Sequence, residues 1–155
     1  MGWLIQTGVL ADIEDVLELW QACGSLPSVS DTHDGLTGLL HTDPAALLLA
    51  DLQGETIGSL ICAWDGWRGS FYRLAVHPSH RRAGIATALV AAGERRLLDR
   101  GAARLTAIVA DCDPRAMGFW QATGYRPQSD RARFIKQPHT PPSEGERSGK
   151  AKDAV

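Results

Sequence analysis

The sequence has 155 residues, of which 44% are hydrophobic and 22% are charged, and its formal net charge is −2. This length and composition fit one globular domain with its own core, and the small negative charge argues against nucleic acid as a main partner. No apolar run approaches the roughly 20 residues that span a membrane. The cysteines lack the spacing of metal ligands. We therefore expect no metal, no membrane and a reducing, cytoplasmic location.

The first part of the chain predicts a strand and two helices. Residues 3–9 (WLIQTGV) form a mostly apolar run and are predicted to be the strand. Residues 11–24 carry apolar side chains at helical spacing and end in glycine, which predicts a helix. The stretch that follows is polar and interrupted by turn residues. A short helix is predicted in it, starting at Ser30 or Asp31 and ending before Pro44.

Three strands and a long helix are predicted next. Residues 45–64 divide at Gln53-Gly54 into two apolar runs, which is typical of a hairpin. A second turn, DGWRG, leads into a strand over residues 70–78. The long helix that follows is predicted to end at Arg100, where Gly101 supplies its C-cap.

The last elements complete one α/β domain. A buried strand is predicted over residues 103–110, a short helix over 113–124, and one or two final strands near 125–128 and 131–136. This order predicts a mixed sheet with helices packed on its faces. We place the domain at residues 1–136. Residues 137–155 have almost nothing to bury and are predicted to be a loose polar tail.

The start of the long helix, RRAGIATALV, is the stretch that points to chemistry. It has no capping side chain and no acidic residue, and it carries Arg81 and Arg82 where the helix dipole disfavours cations. Unpaired amides and cations together favour a bound anion, and Gly84 and Ala86 allow a ligand to approach the backbone. Residues 81–86 therefore predict a phosphate or pyrophosphate site. The alternative is an uncapped helix with solvated arginines.

Two motifs resemble those of the GCN5-related N-acetyltransferase (GNAT) superfamily. Arg81-x-x-Gly84-x-Ala86 after a strand is similar to motif A, [Q/R]-x-x-G-x-[G/A]. The downstream run DPRAMGFWQATGY looks like motif B, and the matching residues are Ala116, Phe119, Gly124 and Tyr125. Asp113 and Trp120 stand where the family commonly has Asn and Tyr. The element order agrees with the family from Trp3 to Lys136, and the chain looks most like its small bacterial YpeA-like members.

The resemblance implies the GNAT fold, with acetyl-CoA (coenzyme A) as cosubstrate. In this fold a mostly antiparallel sheet of six to seven strands splays at the acetyl-CoA site and has helices on both faces. The splayed strand would offer the backbone of Leu74, Ala75 and Val76 to the pantetheine arm. The pyrophosphate would be held by Arg81, Arg82, Ala83, Gly84, Ile85 and Ala86. Phe119 and Trp120 would be either cofactor wall or core, with core favoured for Phe119.

The reaction implied is direct acetyl transfer to an amine, with the N–H of Val76 or a neighbour polarising the thioester carbonyl. Trp120 cannot act as the family's motif B acid, because an indole does not give up its proton. The acid is left open between Tyr125, then Tyr72, then none. The base is left open too. Its candidates are Asp111, Asp113, Asp65, His77 and a water chain, although Asp113 is expected to cap its helix and His77 to lie in a turn.

The acceptor is expected against the first helical region and the turn after residue 64. The residues proposed to contact it are Trp20, Asp31, Asp34, Trp64 and Asp65. Acids beside tryptophans would suit a small cationic amine. The alternative is a mobile loop with Trp20 in the core.

Two functions from different classes remain at this point. The first is an N-acetyltransferase acting on a small-molecule amine or an exposed peptide or protein amine. The second is an acyl-CoA-binding sensor without turnover, which the missing motif B tyrosine favours. Nucleic acid is disfavoured because Glu94 and Asp99 interrupt the arginines of the long helix. Members of the family often form homodimers, and no feature of the sequence selects an interface.

Overall fold

The computed structural model describes residues 2–138 and contains alternating strands and helices. In chain order these are β1 (Leu4–Thr7), α1 (Ile13–Ala22), α2 (His33–Thr42), β2 (Leu47–Leu52), β3 (Glu55–Trp64), β4 (Gly69–Val76), α3 (Ile85–Asp99), β5 (Leu105–Ala107) and α4 (Pro114–Ala122). Short 3-10 turns at Leu10–Asp12 and Pro78–His80 precede α1 and α3. The hairpin at Gln53-Gly54 and the end of the long helix before Gly101 are confirmed.

The strands form one sheet in the order β1-β2-β3-β4-β5. The first four are antiparallel neighbours, and β5 runs parallel to β4. Because β4 and β5 are parallel, their connection must cross over, and α3 makes that crossing. The predicted mixed α/β fold with a mostly antiparallel sheet is confirmed.

Helices cover both faces of the sheet, and β2 shows how the sequence divides its side chains between them. Successive residues of a strand point to opposite faces. Leu47 and Leu49 therefore join the cluster under α1 and α2, whereas Leu48 and Ala50 join the cluster under α3 and α4. All four side chains are at least nine-tenths buried.

The sheet is smaller than the resemblance implied. Five strands are found within residues 2–138, not six to seven, because residues 125–128 and 131–136 form no strand. Pro127 lacks the N–H that a ladder needs, and Phe134 and Ile135 are 94% and 74% exposed. The buried strand is also shorter than predicted, with Leu105–Ala107 paired in place of residues 103–110. From residue 139 onward the predicted tail lies outside the described residues.

The C-terminal end of α2 is tied to α3 by an ion pair. Arg96 donates to both carboxylate oxygens of Asp43 and to the backbone oxygen of Cys62. The two charged side chains are only 12% and 16% exposed. A largely buried pair with charge-assisted hydrogen bonds fixes the position of a helix end more firmly than a solvated pair does.

Close packing of α3 on the sheet depends on Gly93. A Cβ at this position would lie 2.7 Å from both the Cys62 Sγ and a ring carbon of Phe71. We predict that Gly93→Ala lowers the free energy of unfolding by about 1–3 kcal/mol, because overpacking displaces its neighbours. Gly118→Ala is the matched control, since a Cβ on Gly118 of α4 meets nothing within 4 Å. It should be neutral or stabilising by up to about 1 kcal/mol. Urea denaturation of both variants measures the difference, and an unchanged Gly93→Ala protein would contradict the close approach.

Candidate active site

A gap opens between β4 and β5 halfway along β4. Backbone pairing runs from Gly69 opposite Leu105 to Phe71 opposite Ala107. The last bond joins the Ile108 N–H to the Phe71 oxygen at 3.3 Å. Beyond this point, within residues 2–138, no backbone hydrogen bond joins β4 to β5 or to the residues that follow β5. The rest of β4 therefore presents an unpaired edge to the gap.

The backbone of Val76 faces this gap. His77 donates its N–H to the Ile57 oxygen at 2.8 Å, and Val76 lies opposite Gly58. Hydrogen-bonded and non-bonded pairs alternate along antiparallel strands, so the N–H of Val76 points away from β3. By the same alternation, the backbone of Ala75 is directed towards β3. This corrects the expectation that Leu74, Ala75 and Val76 all offer backbone groups to the pantetheine arm, since those of Ala75 are directed at β3.

The phosphate site predicted at residues 81–86, which we call the cradle, lies shortly after the end of β4. Gly84 is the N-cap of α3, with φ +79°, and no side chain caps this helix. Arg82 is also in the left-handed region, with φ +63°. The N–H groups of residues 81–87 donate to no group among residues 2–138. Unsatisfied amides, two arginines and the open space beside Gly84 fit the phosphates of coenzyme A.

A cleft of about 820 Å³ runs beside the unpaired edge of β4 and reaches both helical layers. On one side it is lined by the loop between α1 and α2 and by α2 from Gly35 to Thr42. On the other side residues 108–110 and α4 line it. Tyr72, Arg73 and Leu74 of β4 also line it. One cavity therefore joins the gap to the region where the acceptor was expected.

The two tyrosines occupy different places. Tyr72 lines the cleft and is 37% exposed. Tyr125, the first choice for the acid, lies outside the cleft and donates its hydroxyl to the Glu94 Oε1 at 2.7 Å. Burial, and then the carboxylate of Glu94, hold the pKa of Tyr125 well above its ordinary value. The structure thus separates Tyr125 from the gap and leaves Tyr72 beside it.

The candidate bases either accept hydrogen bonds from the backbone or do not line the cleft. Asp113 lines the cleft, but its Oδ1 accepts from the N–H groups of Arg115 and Ala116, both at 3.1 Å, so its predicted capping role is confirmed. Asp111 lines a separate cavity behind β5. His77 lies in a turn, where its Nδ1 accepts from the Ser79 N–H at 3.2 Å.

The turn after β3 is not part of the cleft. Asp65 accepts from the N–H groups of Trp67 and Arg68 at 2.8 and 2.6 Å. These bonds close the turn and lower the pKa of the Asp65 carboxyl. Trp64 packs against the core beneath α3. The turn joins the start of β4, the end opposite the gap, so the expectation that Trp64 and Asp65 contact the acceptor is corrected.

The other residues expected to meet the acceptor divide into two kinds. Trp20 and Asp31 line the cleft. Trp20 is only 4% exposed and donates its Nε1–H to the Ser59 hydroxyl at 2.9 Å, so it is largely core. Asp34 lies exposed on the first turn of α2 and does not line the cleft.

The aromatic residues of motif B, Phe119 and Trp120, pack in or against the hydrophobic core. Trp120 is 7% exposed and its ring lies 4.9 Å from that of Tyr125 and 5.8 Å from that of Phe71. One edge of Trp120 reaches the cleft, whereas half-buried Phe119 packs behind it. The core role favoured for Phe119 agrees with this position, and Trp120 is both core and wall.

Sequence reasoning missed two residues at the site. Arg73 sits in a bulge of β4, with φ +54°, and spans the cleft. Cys23, at the end of α1, donates its thiol to the Val76 oxygen at 3.4 Å. Burial raises the pKa of this thiol, and the guanidinium of Arg81 partly opposes the rise. Neither residue belongs to a motif. For Arg73 the only available signal was a long cation within the apolar run FYRLAV.

Within the described part of the chain, no group of three or more His, Cys, Asp and Glu residues could hold a metal ion. No helix formed by these residues has the length and apolar character to cross a bilayer.

Comparison with known proteins identifies the family. Residues 13–125 match the acetyltransferase (GNAT) family. An acetyltransferase of Yersinia pestis is 34% identical over 117 residues, which are 76% of this chain and 83% of the relative. The chain belongs to the GNAT family. It is therefore an N-acetyltransferase with acetyl-CoA as its cosubstrate, as predicted.

Solved structures are similar to this fold. Ard1 from Thermoplasma volcanium superposes with a TM-score of 0.72 at 18% identity, covering 80% of this chain and 82% of that one. The PaiA N-acetyltransferase from Thermoplasma acidophilum, in complex with coenzyme A, gives 0.68 at 14% identity, covering 81% and 91%. At this level of identity they support the fold alone.

The cradle is tested by Gly84→Glu. A carboxylate placed among the free amides would repel the phosphates and occupy their space. We predict a loss of at least about 100-fold in coenzyme A affinity by calorimetry. Gly101→Glu is the matched control, because Gly101 at the other end of α3 has φ +97° and the same open surroundings. Both variants carry similar backbone strain, so equal affinities in the two would contradict the cradle.

Tyr125 gives the protein a distinct response to alkaline pH. Its raised pKa keeps the phenol protonated in the folded state, whereas in the unfolded chain it ionises near pH 10. The stabilisation is therefore present below about pH 10 and is lost as the pH rises further. We predict that stability falls more steeply above pH 10 in the wild type than in Tyr125→Phe. Urea denaturation between pH 8 and about pH 11 would measure this, and parallel curves would contradict it.

Proposed function

We propose that the protein moves the acetyl group of acetyl-CoA to a primary amine by direct attack, with both substrates bound together. The observation that carries this proposal is the unpaired edge of β4 leading into the free amides of residues 81–87. The edge has donors and acceptors for an extended chain, and the cradle has donors for an anion. The cleft lies along the edge from Phe71 to Ala75 and reaches the loop between α1 and α2, where we place the amine.

Acetyl-CoA, when bound, supplies an acetyl thioester. Arg81, Arg82 and the amides up to Ala86 would hold its phosphates, and Val76 would direct its free N–H at the thioester carbonyl. The acceptor nitrogen forms an N–C bond as the C–S bond breaks, and it loses one proton. Most of the acceleration is expected from holding the two reactants together.

Tyr72 is the residue we propose to donate a proton to the departing sulfur. It lies where β4 leaves β5, one residue beyond the last paired position, Phe71. It is the only tyrosine that lines the cleft among residues 2–138. Its phenol can supply the proton that the indole of Trp120 cannot.

No carboxylate is proposed as the base. The two that line the cleft within residues 2–138 are Asp31 and Asp113. The first is paired with Arg73 and the second caps α4. Because both carboxylates are already engaged, we propose that the amine gives its proton to water.

Thiol release with a panel of amines tests this function directly. Calorimetry with coenzyme A, run in parallel, separates the acyl-CoA sensor from the enzyme. Coenzyme A binding with amine-dependent thiol release supports the proposal. Binding with no release from any amine would favour the sensor, and no binding would overturn both.

The acid is tested by comparing Tyr72→Phe with Tyr125→Phe. We predict that Tyr72→Phe lowers kcat by about 100-fold, because it removes a proton donor, and leaves the affinity for coenzyme A unchanged. Tyr125→Phe should keep kcat within about twofold and lower the free energy of unfolding by about 1 kcal/mol, the cost of its bond to Glu94. A large loss of kcat in Tyr125→Phe with little change in Tyr72→Phe would instead assign the general acid to Tyr125.

A further inference from the structure

The most heavily bonded charged pair in the cleft joins β4 to the loop between α1 and α2. Arg73 Nε donates to the Asp31 Oδ1 at 3.1 Å, and its Nη2 donates to the backbone oxygen of Leu26 at 3.0 Å. The Nη2 also contacts the Asp31 Oδ2. That oxygen in turn accepts from the Ser28 N–H at 2.6 Å. The side chains of Arg73 and Asp31 are only 21% and 11% exposed, so the pair is shielded from solvent.

The backbone at Arg73 indicates that this side chain is needed. Arg73 and Leu74 together face the single residue Leu60, which makes a bulge in β4. Arg73 has φ +54°, a conformation that glycine adopts freely and that strains other residues. A hydrogen bond from β3 supports the bulge. The Ser59 hydroxyl donates to the backbone oxygen of Arg73 at 3.5 Å and accepts from the Trp20 Nε1–H. An arginine at a position that favours glycine is consistent with a functional role for its guanidinium.

The pair leaves the cleft without excess charge. The charged residues that line it are Asp31, Asp113, Arg73 and Arg133. The two negative and two positive side chains give a formal charge of zero, and each carboxylate already has hydrogen-bond partners. A polyamine needs several unpaired acids to repay the loss of its hydration. Among the described residues, no unpaired carboxylate lines the cleft.

The mouth of the cleft is instead apolar and hydroxylated. Two large apolar residues of its lining are exposed, Ile108 at 41% and Tyr72 at 37%, and the loop between α1 and α2 that forms part of its wall also carries the exposed Leu26 and Val29. Ser25, Ser28 and Ser30 line the same side. Such a rim fits an apolar group next to the reacting amine.

We propose that Arg73 determines acceptor specificity. By neutralising Asp31 it makes the cleft select a single amine attached to an apolar group and disfavour polyamines. This inference rests on the proposed function. It also makes a directional prediction, since removing Arg73 would free a carboxylate in the cleft and improve the use of polyamines relative to monoamines.

Arg73→Gly is the variant of choice, because glycine suits the backbone at this position and the fold should survive. The probes are L-leucinamide, a monoamine with an apolar side chain, and spermidine, a polyamine. The wild type should have the higher kcat/KM for leucinamide. In Arg73→Gly the ratio of spermidine to leucinamide should rise by about 10-fold, the effect of one newly unpaired charge.

Two controls separate specificity from structure. Asp31→Asn in the Arg73→Gly background removes the freed carboxylate and should return the ratio to the wild-type value. Asp43→Asn removes the acid of the other pair, at the far end of α2, and should lower stability without changing the ratio. A ratio that Arg73→Gly leaves unchanged, or that Asp43→Asn shifts equally, would overturn the inference.

Calorimetry distinguishes this failure from a failure of the proposed function. Each amine is titrated into the complex with coenzyme A, so that preference is measured without turnover. Tighter binding of leucinamide with no thiol release would contradict the transferase while supporting the role of Arg73. Thiol release with spermidine preferred by the wild type, or binding of neither amine, would contradict the role of Arg73.

Discussion

The site depends on one constraint, which is that β4 and β5 stop pairing after Phe71. Each strand edge carries backbone groups that need partners, and the separation leaves those of Val76 without any from β5. An extended ligand can satisfy them in the manner of an added strand. The bulge at Arg73 lies at the place where the strands diverge, and a bulge bends its strand and increases its twist. Opening of the sheet and presentation of free backbone therefore have the same local cause.

The bulge also connects the two substrate regions. Arg73 is on the strand that faces the gap, and its side chain holds the loop that lines the acceptor side. With the second ion pair, between Arg96 and Asp43, α2 is fixed near both of its ends by arginines from other elements. The acceptor wall is thus positioned by long-range contacts, although its sequence alone is that of a polar, interrupted loop.

The sequence was most informative where function depends on the backbone. The pattern of arginines and glycine in residues 81–86 predicted free amides, because the absence of a capping residue can be read directly from the letters. The first helices, the hairpin and the cap at Asp113 were predicted for the same reason, since turn and cap chemistry is local. The acceptor side was predicted less well. The roles of Asp31, Asp65 and Tyr125 depend on partners far away in the chain or on which end of a strand faces the gap.

The strand count failed for a related reason. The last segment has strand-like residues, but a strand also needs a neighbour with a free edge and a buried face, and Phe134 and Ile135 have neither in this fold. In contrast, Arg73 went unnoticed because a cation inside an apolar run looks like an interruption. Its meaning depends on a left-handed backbone angle that residue type does not reveal.

The placement of Trp20 and Trp120 has a practical consequence. Both indoles are buried, at 4% and 7% exposure, and both border the cleft from opposite helical layers, whereas Trp67 is 68% exposed and lies at the distant turn. Buried indoles emit at shorter wavelengths than solvated ones, so Trp20 and Trp120 contribute to a blue component of the emission, together with the half-buried Trp3 and Trp64. The contribution of the two wall indoles is thus an intrinsic optical signal from the cleft that needs no label.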